Sequence, residues 1–453
     1  MGLRAVLYLA LSATISRAAL QAQPSWQGGF EQALDQLRKG DPGGATAKFE
    51  TLWKSHSRDF QLAHQIGTAF DMSGRHAEAT PWYQRSLAIQ PNYEPALNNL
   101  ALNYATLGQL AKAAPLLHQA LRINPGNAQA AYNLGLMDLR LERYADAVAA
   151  FRTAREAPQP PAAIERIQLA EATALFRLGR YSETASVLSK SGAQNDAARF
   201  ELLGSAQALA GDLPSAIKTF QQSASSFPGN PQVYYRLALV FMLGRRDQEA
   251  QDVLVAGLKN IPSSPLLLYA QAVVDEAIGT YEEAASLAER SLTGDRNQPQ
   301  VWGLLGSLYV RLRRTDDAVK AYEQALALGA GPRTCVDYAE LLVRLERFAE
   351  AEKQLRVLVE RHPHDARVNR GMGKLYREQN QYARAEPYLE RAVRSNPDDA
   401  EAHFALGETL RHLGRLDAAK REYAAYRKTK DASRMVRVLE LAGSAPAGPF
   451  EGN

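Results

Sequence analysis

Apolar residues recur along this chain at helical spacing, in short blocks broken by glycine or proline, and the blocks come in pairs. The clearest pair is 94–127. Leu97, Leu100 and Tyr104 line one face of a first predicted helix, from about Pro95 to Leu107, which turns at Gly108. Leu117 and Leu121 line a second, from about Ala111 to Ile123, which stops at Pro125 because proline cannot continue a helix. Small Ala101 and Ala113 fall where the two helices must cross closely. Such a pair cannot bury its own apolar surface; it needs a copy of itself on each side.

The copies are present at a period of 34 residues. With Glu94 as position 1, position 8 holds Ala33, Gly67, Ala101, Gly135, Ala172, Gly204, Ala238, Ala272, Gly306, Ala339, Gly373 and Gly407, always Gly or Ala. Position 20 is alanine from Ala45 to Ala419, with Thr184 the exception. Position 24 is large, as at Phe49, Tyr83, Phe151, Tyr322 and Tyr423, except for Ala288. Position 32 is proline at Pro91, Pro125, Pro228, Pro262, Pro363 and Pro397. Small residues let helix backbones approach, and the large one fills the gap to the next pair.

These residues resemble the tetratricopeptide-repeat (TPR) family, whose Trp-Leu-Gly-Tyr series is nearly complete at Trp302, Leu305, Gly306 and Tyr309. The resemblance spans roughly 26–433. It implies an all-α fold, a right-handed superhelical solenoid of about twelve TPR helix-turn-helix repeats, and work in protein–protein interaction. The motif residues themselves are structural and name no partner.

Composition adds little to this and removes some alternatives. A chain of 453 residues would ordinarily suggest about three domains, but a solenoid is one quasi-linear body. The net charge is +4; without Arg4 and Arg17, the 53 basic residues become 51 against 49 acidic ones, which is no overall footprint for nucleic acid. The single cysteine, Cys335, excludes an internal disulfide and falls at packing position 4, where a buried thiol is expected.

Met1–Ala22 has a basic start and an apolar run, Ala5–Ile15, too short to span a bilayer comfortably, and resembles a secretory signal peptide with no cysteine after it for a lipoprotein anchor. Export to the periplasm or medium is therefore expected. A degenerate first repeat and three regular ones make an N-terminal block, 26–164. An insertion, Ala157-Pro158-Gln159-Pro160-Pro161, then precedes a shortened fifth repeat starting near Glu165, so 165–196 reads as a joint. Seven repeats follow over 197–433. A short capping helix is expected at 434–443 and a disordered tail at 444–453.

The resemblance places positions 2, 5, 9 and 12 of each first helix on a concave surface, since those spacings share one helical face. Near the N-terminus this surface carries Gln61, His64, Asn98, Asn99 and Asn133. Asn99 and Asn133, both at bordering position 6, resemble two rungs of the asparagine ladder with which the TPR superhelix of O-GlcNAc transferase grips peptide backbones; Ala170 and Leu202 break the series. Tyr132, Tyr235 and Tyr269 at position 5 are candidate interface anchors. Arg367, Arg370, Lys374 and Arg377 occupy positions 2, 5, 9 and 12 of the eleventh repeat, with Arg333 one repeat before and Arg411 one after. Such a stripe suits an acidic segment or a C-terminal carboxylate, and it resembles the carboxylate clamp of chaperone-binding TPR domains without their Lys and Asn order. Glu340, Glu401 and Glu408 lie on the same face and could pair with it, yet charge reversal at Arg370 and Lys374 is expected to leave the fold intact.

Catalytic and metal readings find no support. Gly371-Met372-Gly373-Lys374 is followed by Leu375 and lacks the rest of a phosphate loop, and His362-Pro363-His364 has no ligand cluster nearby. The expectation is a non-enzymatic exported scaffold without cofactor, binding a protein or extended acidic peptide in its groove. The alternative is an accessory subunit recruiting partners to an envelope enzyme or to polysaccharide or secretion machinery.

Overall fold

The computed structural model describes residues 25–189 and 196–429. The signal peptide, capping helix and tail expected at 1–22, 434–443 and 444–453 lie outside the described residues. Among these there are twenty-four α-helices and no strand. Two compact units divide between Ala210 and Gly211.

The first unit holds α1 (Gln27–Arg38), α2 (Pro42–Ser55), α3 (Phe60–Met72), α4 (His76–Ile89), α5 (Glu94–Thr106), α6 (Leu110–Ile123), α7 (Ala128–Arg140), α8 (Tyr144–Glu156), α9 (Pro161–Arg177), α10 (Tyr181–Ser189) and α11 (Ala197–Leu209). The second holds α12 (Leu213–Ser226), α13 (Pro231–Leu243), α14 (Asp247–Asn260), α15 (Pro265–Ile278), α16 (Tyr281–Ser291), α17 (Pro299–Arg311), α18 (Thr315–Ala327), α19 (Pro332–Arg344), α20 (Phe348–Arg361), α21 (Ala366–Glu378), α22 (Tyr382–Ser395), α23 (Ala400–His412) and α24 (Leu416–Thr429). Within each unit, each helix packs on the one before and after it, and first helices of neighbouring pairs also touch, as α19 touches α21 and α21 touches α23.

The period is written in three local devices. Where position 32 is proline it stops the second helix, and at four of those six junctions an Asn or Asp two residues later caps the next first helix. Asn127 accepts from the Ala130 amide at 2.9 Å, and Asp365 from the Val368 amide at 3.0 Å. Within each pair the turn residue at position 15 is left-handed. It is glycine at Gly108 (φ 74°), but Glu142, Arg245, Arg313, Glu346 and Asn380 adopt φ of 57–60° there. At the crossing, the expected small and large residues meet. A Cβ added to Gly306 would stand 2.6 Å from the Tyr322 ring, and one on Gly135 would stand 2.6 Å from Phe151.

The irregular stretch differs from expectation at its start. α9 begins at Pro161 and runs 17 residues, about a turn earlier than the start expected near Glu165. Proline fits the first helical turn, where its missing N–H is not needed, and Ala162, Ala163 and Ile164 continue the helix. α9 is tied back to α8 by Glu171, fully buried, which takes Arg152 at 3.1 Å and Arg155 at 3.3 Å. α10 is short, nine residues, as the sequence implies.

Candidate functional site

Arg367, Arg370, Lys374 and Arg377 lie along α21, and this basic stripe is largely spent inside the chain. Asp399 uses one carboxylate oxygen to cap α23 through the Ala402 amide at 3.0 Å. Its other oxygen takes Arg370 at 2.6 Å, in a pair whose side chains are only 16% and 8% exposed. Lys374 bridges Glu340 at 3.0 Å and Glu401 at 2.7 Å, and the cations hold the Glu401 carboxyl below its usual range against the opposing effect of burial. Arg377 pairs with Glu378 at 2.6 Å and Arg411 with Glu408 at 2.9 Å. Arg333 lies 3.9 Å from Asp337, and Arg367 contributes to the field on Glu401. Arg370 is therefore a tie between the last two repeats, and reversing its charge would strand Asp399. The expectation that the fold would tolerate that change is corrected here.

The amide rungs are also engaged. Asn133, 2% exposed, donates to the Asn98 carbonyl oxygen at 2.8 Å, and Gln129 donates to Asn133 at 3.1 Å. Asn98 is itself 9% exposed, so neither amide is presented for a peptide backbone. Asn99 approaches His64 Nε2 at 3.0 Å; burial holds that imidazole's pKa down at about 4, so the neutral ring accepts. Tyr235 and Tyr269 are 3% and 7% exposed, packed with Leu239, Met242 and Val273 around a small apolar hollow between α13 and α15. They pack inside the repeats instead of standing out as anchors, because large residues occupy the neighbouring groove positions. Cys335 is half-buried, its thiol 3.8 Å from the Ala330 carbonyl, and burial pushes its pKa up.

One of the three candidate tyrosines behaves differently. Tyr132 on α7 is half-exposed, its ring 5.8 Å from that of Phe151. It belongs to a row of half-exposed apolar side chains: Leu136 and Leu139 on α7, then Leu169 and Phe176 on α9. All stand at position 5, 9 or 12, and they rest on the buried core formed by Val148, Phe151, Ile167 and Leu175. Sequence reasoning singled out only Tyr132. The apolar residues at the same positions of two successive repeats were the available signal.

Stacked helix pairs with a shared crossing, turn and cap make this a helical-repeat solenoid, the architecture of a protein-interaction scaffold. Tetratricopeptide-repeat models match residues 30–94, 98–162, 169–231, 201–265 and 370–433, and two further ones match 266–329 and 313–375, so the chain belongs to the tetratricopeptide-repeat family. Three solved structures illustrate the likeness. The APC/C hetero-tetramer Cut9–Hcn1 is 13% identical, with a TM-score of 0.42 over 87% of this chain and 85% of that one. Naa15/Naa10 bound to HypK-THB is 14% identical, with a TM-score of 0.40 over 88% and 67%. YrrB, described as a TPR protein with an unusual peptide-binding site, is 19% identical, with a TM-score of 0.37 over 42% and 97%. No curated protein matches the chain in sequence.

Proposed function

We propose that the chain is an exported scaffold that holds a segment of a partner protein on the face formed by its first helices. The observation that carries this reading is the row Tyr132, Leu136, Leu139, Leu169 and Phe176, which stays half-exposed where Tyr235, Leu239 and Met242 of α13 and Tyr269 and Val273 of α15, at matching positions, are buried. Apolar surface kept in water on a rigid support is what an interface core requires. A preformed face also loses little conformational entropy on binding. Export rests on the apolar run Ala5–Ile15, and none of the described helices is long and apolar enough to cross a membrane.

The test is a pull-down from the cell-envelope fraction, read by mass spectrometry, with wild type, Leu136→Asp and Val357→Asp as baits. Val357 lies on second helix α20 and is 45% exposed. Partners lost with Leu136→Asp and kept with Val357→Asp support the reading. Partners lost only with Val357→Asp overturn it, as does absence of the protein from the envelope fraction for export.

A further inference from the structure

We infer that the α7–α9 face takes a partner segment in which apolar side chains are flanked by carboxylates. This deepens the proposed function and rests on it. Positions 2, 9 and 13 of a helix lie within about 20° of one line along its surface. On α7 that line is Gln129, Leu136 and Arg140; on α9 it is Arg166, Thr173 and Arg177. The three arginines are exposed, and among the described residues none of them takes part in an ion pair or hydrogen bond. Arg166 is close enough to Tyr132 for its charge to act on the phenol.

Most of the acids nearby already answer to other cations. Glu165 acts on buried Arg199, Glu171 takes Arg152 and Arg155, and Glu183 takes Arg180 at 2.6 Å. Glu201, at position 5 of α11, bounds the face and is itself partnered. What remains is an apolar row with unpaired guanidinium groups at its edges. On α21, by contrast, Arg370, Lys374 and Arg377 each have a carboxylate of their own. A planar guanidinium free of partners binds carboxylate through two parallel hydrogen bonds, while the apolar centre supplies most of the affinity. The chemistry fits an acidic stretch bearing Leu, Phe or Tyr.

A random peptide library displayed on phage is panned against the full chain. Enriched peptides are synthesised with a fluorescent label and titrated by anisotropy against wild type, Leu136→Asp, Arg166→Glu with Arg177→Glu, Arg367→Glu, and Val357→Asp. The double arginine variant alters only exposed side chains, so it stays interpretable if Leu136→Asp unfolds. The expected result is enrichment of acids interspersed with Leu, Phe or Tyr, and a Kd raised about tenfold or more by each α7 or α9 variant. Added salt should weaken wild-type binding and have less effect on the arginine variant. Basic or purely polar peptides, or acidic ones whose Kd is unchanged by both variants, overturn the inference. Loss confined to Arg367→Glu would keep binding on the first helices but move it off α7–α9. Loss confined to Val357→Asp, or no enrichment at all, counts against both this inference and the reading beneath it.

Discussion

Gly306 and Tyr322 give the sharpest test of the packing that organises the chain. A Cβ on Gly306 would sit 2.6 Å from two atoms of the Tyr322 ring, roughly 1 Å inside the usual carbon–carbon separation of about 3.5–4.0 Å. The ring cannot retreat: Tyr322 is 2% exposed and the Tyr338 ring lies 5.7 Å away. Overpacking of this kind costs about 1–3 kcal/mol, against which alanine recovers up to about 1 kcal/mol of helix propensity. The repeats themselves suggest the compensating change. Where position 8 is alanine, position 24 is mostly leucine, as in Ala101 with Leu117, Ala238 with Leu254 and Ala339 with Leu355, although Ala33 faces Phe49. Gly306→Ala should therefore be unfavourable beside the native Tyr322 and favourable in the background of Tyr322→Leu. The coupling across the cycle Gly306→Ala, Tyr322→Leu and the double variant should be about 1–3 kcal/mol in favour of the pair. Urea unfolding followed by far-UV circular dichroism measures it, with hydrogen exchange in α17 and α18 as a local check. Gly306→Leu should be worse than Gly306→Ala in the wild-type background. Equal effects of Gly306→Ala beside tyrosine and beside leucine would refute the crossing.

Other consequences follow from single residues. Glu142→Gly or Arg313→Gly should raise stability by up to about 1 kcal/mol, because a left-handed turn at φ 57° costs an L-residue more than it costs glycine; an unchanged or lowered urea midpoint would count against the turn assignment. Arg370→Glu should cost on the order of 2–5 kcal/mol by leaving Asp399 unpaired beside a new carboxylate, whereas exposed Arg394→Glu should cost little; equal unfolding midpoints would contradict this. Burial lowers the His64 pKa from 6.5 to about 4, so between those values the unfolded chain takes up a proton that the folded chain refuses. Stability from this residue is thus present above pH 6.5 and falls as pH drops toward 4, by about 3 kcal/mol at most. Burial raises the nearby Asp71 carboxyl and acts in the opposite sense, so the readout is the pH slope of wild type minus that of His64→Gln; no difference would place His64 in water.

The repeat register was open to reading because every pair solves the same packing problem with the same residue sizes. Position 8 meets position 24 within one repeat, so a single period exposes both partners. The site was harder to read because exposure at a groove position depends on the adjacent repeats. Tyr132 and Tyr235 share position 5, yet Leu239 and Met242 help bury the second and leave it 3% exposed. The charges of α21 were visible as a stripe, and the flanking acids at Glu340 and Glu401 were visible too. That Asp399 would serve both as helix cap and as the partner of Arg370 needed the fold, since it depends on how α21 sits against the start of α23. The free arginines on α7 and α9 could have been found at position 13 (Arg140 and Arg177) and position 2 (Arg166), but nothing in a linear sequence tells a free guanidinium from a paired one.

Which side of the helix pairs meets a partner is the decisive question. Hydrogen exchange of the full chain, with and without a peptide enriched in the panning, reads this directly. Binding should slow exchange in α7 and α9 and leave α6, α8 and α10 unchanged. Protection confined to those second helices, or spread evenly over both, would contradict it.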